Sequence, residues 1–213
     1  YVTSLGGDAE GKVMADVNLD TVGRRGNKPL LVLDGQSASE WVHIFRGVGF
    51  TTGVPVELAK EGGGASDQQA FLEAGVPAVQ IVSGPNTDYH RPADTADKNE
   101  PTSLVDPAVV VREAGAYLAD RKEPLTMGTA GPAASGGRRA SLGTVPDMTF
   151  AGPGVRVDDV VPGSPAQKLG LQKGDVLVRF DGKAVDSLRG NSTLLKAHAD
   201  GDKVKIVVVS NGK

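Results

Sequence analysis

The sequence predicts an α/β fold, a sheet covered by helices, joined by a flexible linker to a small α+β domain. Three observations carry this reading. Strand-like and helix-like segments alternate over residues 1–122, which implies a sheet with helical cover. Residues 123–139, "EPLTMGTAGPAASGGRR", are rich in Gly, Ala, Pro and Ser without apolar periodicity, the composition of a flexible connection. Residues 140–213 then change to short strands and two helices, and about 70 residues of this kind make an independent module.

The elements follow in order. "KVMADVNLD" alternates, with Val13, Ala15, Val17 and Leu19 on one face, and "PLLVLDG" is a short apolar run stopped by Asp-Gly, so both read as strands. "SASEWVHIFRGVG" starts with serines able to cap, sets Trp41, Ile44 and Phe45 at helical spacing and ends in Gly. "ASDQQAFLEAG" repeats that design, with Ser66 as N-cap, Phe71 and Leu72 as the apolar stripe and Gly75 as the stop. "VPAVQIVSG" reads as a buried strand, and "DPAVVVREAGAYLADR" as a helix with Pro107 in its first turn. Beyond the linker, "GVRVDDVV", "DVLVRFDGKAV" and "KVKIVVVSNGK" are strands, while "SPAQKLG" and "NSTLLKAHA" are helices.

Composition narrows the chemistry. The chain has 213 residues, 39% of them hydrophobic, enough for a packed core, and no cysteine. Disulfides and thiolate zinc sites are therefore excluded, and a metal would be held by His, Asp and Glu. No run approaches 18 apolar residues, so no membrane span is expected, and the start "YVTSLGGDAEGK" has no secretory-signal pattern. The missing initiator Met leads to the expectation that the chain begins inside a longer protein. Residues 1–122 hold 11 basic and 17 acidic side chains, which argues against a nucleic-acid partner, since phosphate binding needs clustered Lys and Arg. An acidic pocket suits cations, including a free α-ammonium group.

In open α/β sheets, ligands collect beyond the carboxyl ends of strands. Asp20 ends one predicted strand and "TDYH" follows another. Taken alone, Asp20 reads as a turn or cap residue and His90 as a loop histidine; together they are the pair a carboxylate–imidazole metal site requires. His43, mid-helix beside Trp41 and Phe45, and His198, late in the last helix, read as flank and surface residues.

"VNLDTVGR", "GASDQQAFLEAGVPAVQIVSG" and "DYHRPADTADK", in that order and spacing, resemble the C-terminal half of the co-catalytic zinc aminopeptidase family that includes bacterial secreted aminopeptidases. The resemblance covers roughly residues 10–121 and implies a zinc-dependent exopeptidase with two zinc ions, cleaving N-terminal residues from peptide substrates. It implies that Asp20 is a carboxylate ligand to one metal and His90 the imidazole ligand to the other. Tyr89 matches a tyrosine whose hydroxyl stabilises the tetrahedral intermediate, an electrostatic contribution that is large in acyl transfer. Asp67 matches an acidic residue near the site, and Asp94 is placed to accept from an imidazole N–H. Asp67 reads equally as a helix N-terminal carboxylate, and Asp94 as a turn residue.

Two departures stand out. Gln68 occupies a position where family members often carry His, which bears on the substrate pocket rather than the ligands. The family's upstream His-x-Asp and Glu-Glu have no counterpart before Asp20, where there is no His and the acids are Asp8, Glu10 and Asp16. Asp16 shares a strand face with Asp20 and reads as a solvated strand residue more readily than as a ligand. Asp20 and His90 fall short of the three protein ligands of a catalytic zinc, so the chain as given is expected to be the C-terminal portion of an enzyme, inactive alone. The resemblance also implies an extracytoplasmic location, periplasmic or secreted. A non-catalytic peptide-binding or scaffolding protein with a degenerate peptidase-like domain is the alternative.

The last domain carries its own signature. The Leu-Gly turn, "PGSPAQKLGLQKGD" and an apolar strand running into "DGK" resemble a PDZ domain of the bacterial HtrA-like kind. The resemblance implies that Leu142, Gly143 and Thr144 form a carboxylate-binding loop. A peptide C-terminus is the implied ligand, added along the strand "TVPDMTF" against helix 191–199. Pro146 removes one donor from that strand, which places full-length pairing in question.

Overall fold

The computed structural model describes residues 2, 13–59, 66–84, 86–89, 91–128, 140–150, 152–199 and 201–210. The chain divides into two compact units, Tyr1–Gly84 with Thr95–Ala133, and Pro85–Asp94 with Ala134–Lys213. His90, Asp8, Glu10 and linker residues 129–139 lie outside the described residues.

In the first unit, strands β1 (Asp16–Leu19), β2 (Leu30–Leu33), β3 (Val56–Leu58) and β4 (Ala78–Val82) form one mixed sheet in the order β1-β4-β2-β3. β1 runs parallel to β4 and β2 parallel to β3, while β2 and β4 are antiparallel. Helix α1 (Trp41–Thr52), the short α2 (Gln68–Glu73) and the long α3 (Pro101–Asp120) complete it. All five residues of β4 are buried, and so are all four of β2, which is why both read as continuous apolar runs rather than alternating ones.

The core joins Leu30, Val32, Val79 and Ile81 of the sheet to Trp41, Ile44, Phe45 and Val48 of α1 and Val110 and Ala114 of α3. Spacing of three and four residues puts the α1 side chains on one face, and each large one buried contributes about 1.5–3 kcal/mol. The helix stops where Gly53 takes a left-handed φ of 71° and its N–H donates to the Gly49 carbonyl. Its start differs from the sequence expectation: Glu40 is the N-cap and makes no side-chain cap bond. Ser37 instead accepts from the Trp41 indole N–H at 2.9 Å and donates to the Ala78 carbonyl at 2.7 Å. A buried indole N–H left unpaired is costly, and this serine removes that cost.

Two further corrections concern helices. α3 begins at Pro101, five residues before the expected start, so Pro107 lies inside the helix and Pro101 holds the first position. Pro107 supplies no N–H to the Ser103 carbonyl, a loss the buried face of the helix tolerates. Ser66 is not a helix cap, because α2 starts at Gln68 with Asp67 as N-cap and no side-chain cap bond.

The second unit holds β5 (Thr144–Pro146), β6 (Val155–Val160), α4 (Pro165–Lys168), β7 (Val176–Phe180), β8 (Lys183–Ala184), α5 (Leu188–Lys196) and β9 (Ile206–Val209). Its antiparallel sheet runs β5-β6-β7-β8, with β9 also paired to β7. Leu142, Val155, Leu177, Phe180, Val185 and Leu195 form its core. Here the serine caps form as such caps do: Ser164 accepts from the Gln167 N–H and Ser187 from the Gly190 N–H. The strand expected over "TVPDMTF" ends after three residues. Asp147 beyond it accepts from the Thr149 N–H and hydroxyl and from Arg156, which closes a turn in place of an extended chain. Among the described residues, no helix is long and apolar enough to cross a membrane.

Candidate active site

The parallel register that sets Asn18 beside Gln80 and Leu19 beside Ile81 brings the carboxyl ends of β1 and β4 together. Side chains alternate along each strand, so Asn18, Asp20 and Gln80 share one face. The Asp20 N–H donates to the Ile81 carbonyl at 3.2 Å, which holds Asp20 at the strand end. Thr21 then turns the chain with a left-handed φ of 47°.

Asp20 Oδ2 accepts two hydrogen bonds, from Ser66 Oγ at 2.9 Å and from Gln80 Nε2 at 3.0 Å. Asn18 Nδ2 donates to Ser66 Oγ at 3.1 Å and to Gln68 Oε1 at 3.4 Å. Gln68 Nε2 in turn donates to Gln80 Oε1 at 3.2 Å and to Asp34 Oδ2 at 3.1 Å. Gln68 is 0%, Asp34 2% and Gln80 6% exposed, so this polar network is built into the core beneath Asp20. Gln68 therefore lies inside the core, whereas the sequence reading had connected it with the substrate pocket.

Asp67, at the start of α2, follows Ser66 directly and acts on Asp16. Burial, followed by repulsion from Asp67, pushes the Asp16 carboxyl up to about 6. Its Oδ2 is buried with no hydrogen-bond partner among the described residues, which corrects the expectation of a solvated strand residue. His43 is exposed on α1, as a flank residue is. His198 is only partly exposed: its Nδ1 lies 2.9 Å from the Leu194 carbonyl and its ring packs edge-on against Phe180.

Tyr89 and Asp94 belong to the segment that divides with the second unit. The Tyr89 N–H donates to the Asn86 carbonyl at 3.3 Å and the side chain is half-exposed. The Asp94 N–H donates to the Arg91 carbonyl at 3.0 Å, which makes it a turn residue by its backbone.

As a metal ligand, Asp20 fits one coordination position: Oδ2 holds both hydrogen bonds, and Oδ1 accepts none among the described residues. No three His, Cys, Asp or Glu among the described residues converge on a common point, so they do not by themselves make a zinc site. Gln68 entered the sequence reading only as a departure from the resembled family, and Gln80, Asn18 and Asp34 were not singled out there. The one signal available was Gln80, a lone amide in the apolar run "VPAVQIVSG".

In the second unit, Leu142, Gly143 and Thr144 lead into β5. Gly143 has φ 77°, and a Cβ there would stand 2.2 Å from the Ser164 Cβ, so only glycine fits. The Gly143 carbonyl accepts from the Val161 N–H and the Asp147 N–H donates to the Arg156 carbonyl, both toward β6. By alternation, Thr144 and Pro146 turn their main-chain groups to the open edge of β5, where Pro146 has no N–H to give.

Residues 4–114 match peptidase family M28, and residues 129–213 match the PDZ domain family. Leupeptin-inactivating enzyme 1 of Streptomyces exfoliatus is 33% identical over 98 residues, 46% of this chain and 21% of that protein. A probable periplasmic serine endoprotease, DegP-like, of Chlamydia trachomatis is 42% identical over 60 residues, 28% of this chain and 12% of that protein. Among solved structures, a zinc aminopeptidase from Bacillus subtilis matches with a TM-score of 0.47 and 27% identity, covering 59% of this chain and 32% of that one. The chain thus spans between 12% and 21% of these two curated relatives.

Proposed function

Because the chain belongs to peptidase family M28 and carries a PDZ domain, we propose that it is part of a zinc-dependent exopeptidase that removes N-terminal residues from peptides. The observation that carries the reading is Asp20, set at the end of β1 with one carboxylate oxygen clamped and the other left to a ligand. Asp20 and His90 would hold zinc, two ions serving the intact enzyme, and Tyr89 would donate to the developing oxyanion. Asp67 and Asp94 stand near the site in this reading. A bound zinc ion would supply Lewis-acid polarisation of the scissile carbonyl. This chain alone would be inactive, since Asp20 and His90 fall short of the three protein ligands that a catalytic zinc takes.

The proposed boundaries are residues 1–122 for the peptidase part, 123–139 for the linker and 140–213 for the PDZ module; the family matches cover residues 4–114 and 129–213. Peptides with free C-termini are the proposed PDZ ligands. An extracytoplasmic location is supported by the relative described as periplasmic. The family match favours the peptidase reading over a non-catalytic scaffold.

The test is release of N-terminal residues from short peptides by the full-length protein containing this chain. The expected result is activity abolished by a chelator and lowered about a hundred-fold or more by His90→Ala. Activity that survives both unchanged would refute the reading.

A further inference from the structure

We propose that Gln68 is a positioning residue for Asp20, acting through Gln80: it fixes which Asp20 oxygen is hydrogen-bonded and which is presented to a divalent cation. The inference rests on the reading of Asp20 as a zinc ligand.

Proton bookkeeping fixes the network. With Asp34 ionised, its Oδ2 only accepts, so the Gln68 atom facing it at 3.1 Å is the amide nitrogen. That same nitrogen faces Gln80 at 3.2 Å, so the Gln80 atom it meets is the carbonyl oxygen. Gln80 must then turn its own nitrogen to Asp20, where it donates at 3.0 Å. A flipped Gln80 would set a carbonyl oxygen against a carboxylate oxygen, which is repulsive.

The other arm gives the same answer. Gln68 Oε1 accepts from Asn18 Nδ2, whose second hydrogen goes to Ser66 Oγ. One lone pair of Ser66 Oγ accepts that hydrogen, and the Ser66 hydroxyl donates to Asp20 Oδ2 at 2.9 Å. Both arms start at Gln68 and end on the same oxygen of Asp20, so one fully buried amide sets the orientation of the carboxylate. Buried polar networks in which every member is satisfied hold a single arrangement, and one missing member releases the others. Without Gln68 the Gln80 oxygen loses its donor, and the contact with Asp20 alone is left to hold the Gln80 amide. The glutamine at the position where the resembled family often carries His thus has a partner, Gln80, through which it reaches the ligand.

The experiment measures zinc affinity of the full-length protein by competition with a chromophoric chelator, using zinc alone as the probe. Wild type, Gln68→Leu and Asp20→Asn are compared, together with the melting temperature of each metal-free protein. The inference expects Gln68→Leu to weaken zinc binding about ten-fold or more and to lower kcat with KM unchanged, while the metal-free melting temperature stays within a few degrees. Zinc affinity unchanged in Gln68→Leu but lost in Asp20→Asn overturns the positioning role and leaves the ligand reading standing. Affinity unchanged in Asp20→Asn overturns the ligand reading, and the inference with it. Should Gln68→Leu fail to fold, the side-chain amide signals of selectively labelled glutamines in the wild type decide the matter. Slow exchange at Gln68 and Gln80, with the Gln80 signal moved by zinc, supports the role; exchange at the free-solution rate overturns it.

Discussion

Asp16 is a residue whose placement works against the fold at neutral pH. Burial, with Asp67 adding to it, raises its pKa from 3.8 to about 6, so the folded chain binds this proton more tightly than the unfolded one. Stability from this group therefore rises as pH falls from about 6 to about 4, and the penalty is fully present above 6. Asp16→Asn should stabilise the protein by roughly 1 kcal/mol at pH 7, after allowing for solvent screening of a half-exposed group, and by nearly nothing at pH 4. Urea denaturation at the two pH values checks this, and an equal effect at both would contradict it. At this scale, alternation placed Asp20 at the end of its strand, while only the family resemblance made it a candidate ligand. Gln68 and Gln80 were not legible, because their importance lies in which strand and helix face each other, and no local pattern encodes that. Asp16 was misread for the same reason: alternation names its face but not the helix that covers it.

Among elements, the clasp at the start of α1 joins distant parts of the chain. Glu40 accepts from the Thr126 N–H and hydroxyl and pairs with Arg121, tying the segment after α3 to the N-terminus of α1. Burial works to raise the Glu40 pKa, but the hydrogen bonds from Thr126 and Ser39 outweigh it and hold the carboxyl below its ordinary value. A lowered carboxylate pKa gives stability that is present above the ordinary value of 4.5 and fades as pH falls through the folded one. Glu40→Ala should therefore cost about 1–2 kcal/mol at pH 7, less at pH 3, and speed hydrogen exchange at Thr126; unchanged exchange would refute the clasp.

β5 gives the element-scale prediction for the second unit. Its open edge offers the Thr144 N–H but no donor from Pro146. Pro146→Ala should restore a donor and tighten binding of peptides with free C-termini about five-fold, the effect of one hydrogen bond near 1 kcal/mol. Titration of the full chain with such a peptide checks this, and unchanged affinity would show that the ligand does not add to this edge. Most elements were legible from periodicity and turn residues. β3 was missed because its alternation spans only three residues, and the start of α3 was misplaced because two prolines six residues apart look like loop chemistry.

For the whole molecule, the change of grammar toward the C-terminal part separates a peptidase match over residues 4–114 from a PDZ match over residues 129–213. The polar network at Asp20 is less legible than the fold, because Asn18, Ser66 and Gln80 come from separate segments, and the order of strands in a sheet is not written in any one of them. The zinc content of the intact, full-length protein is the most direct measurement. The account predicts two ions per chain in the wild type and their loss when Asp20→Ala and His90→Ala are combined. An intact wild-type protein that binds no zinc, or a double variant that keeps both ions, would contradict it.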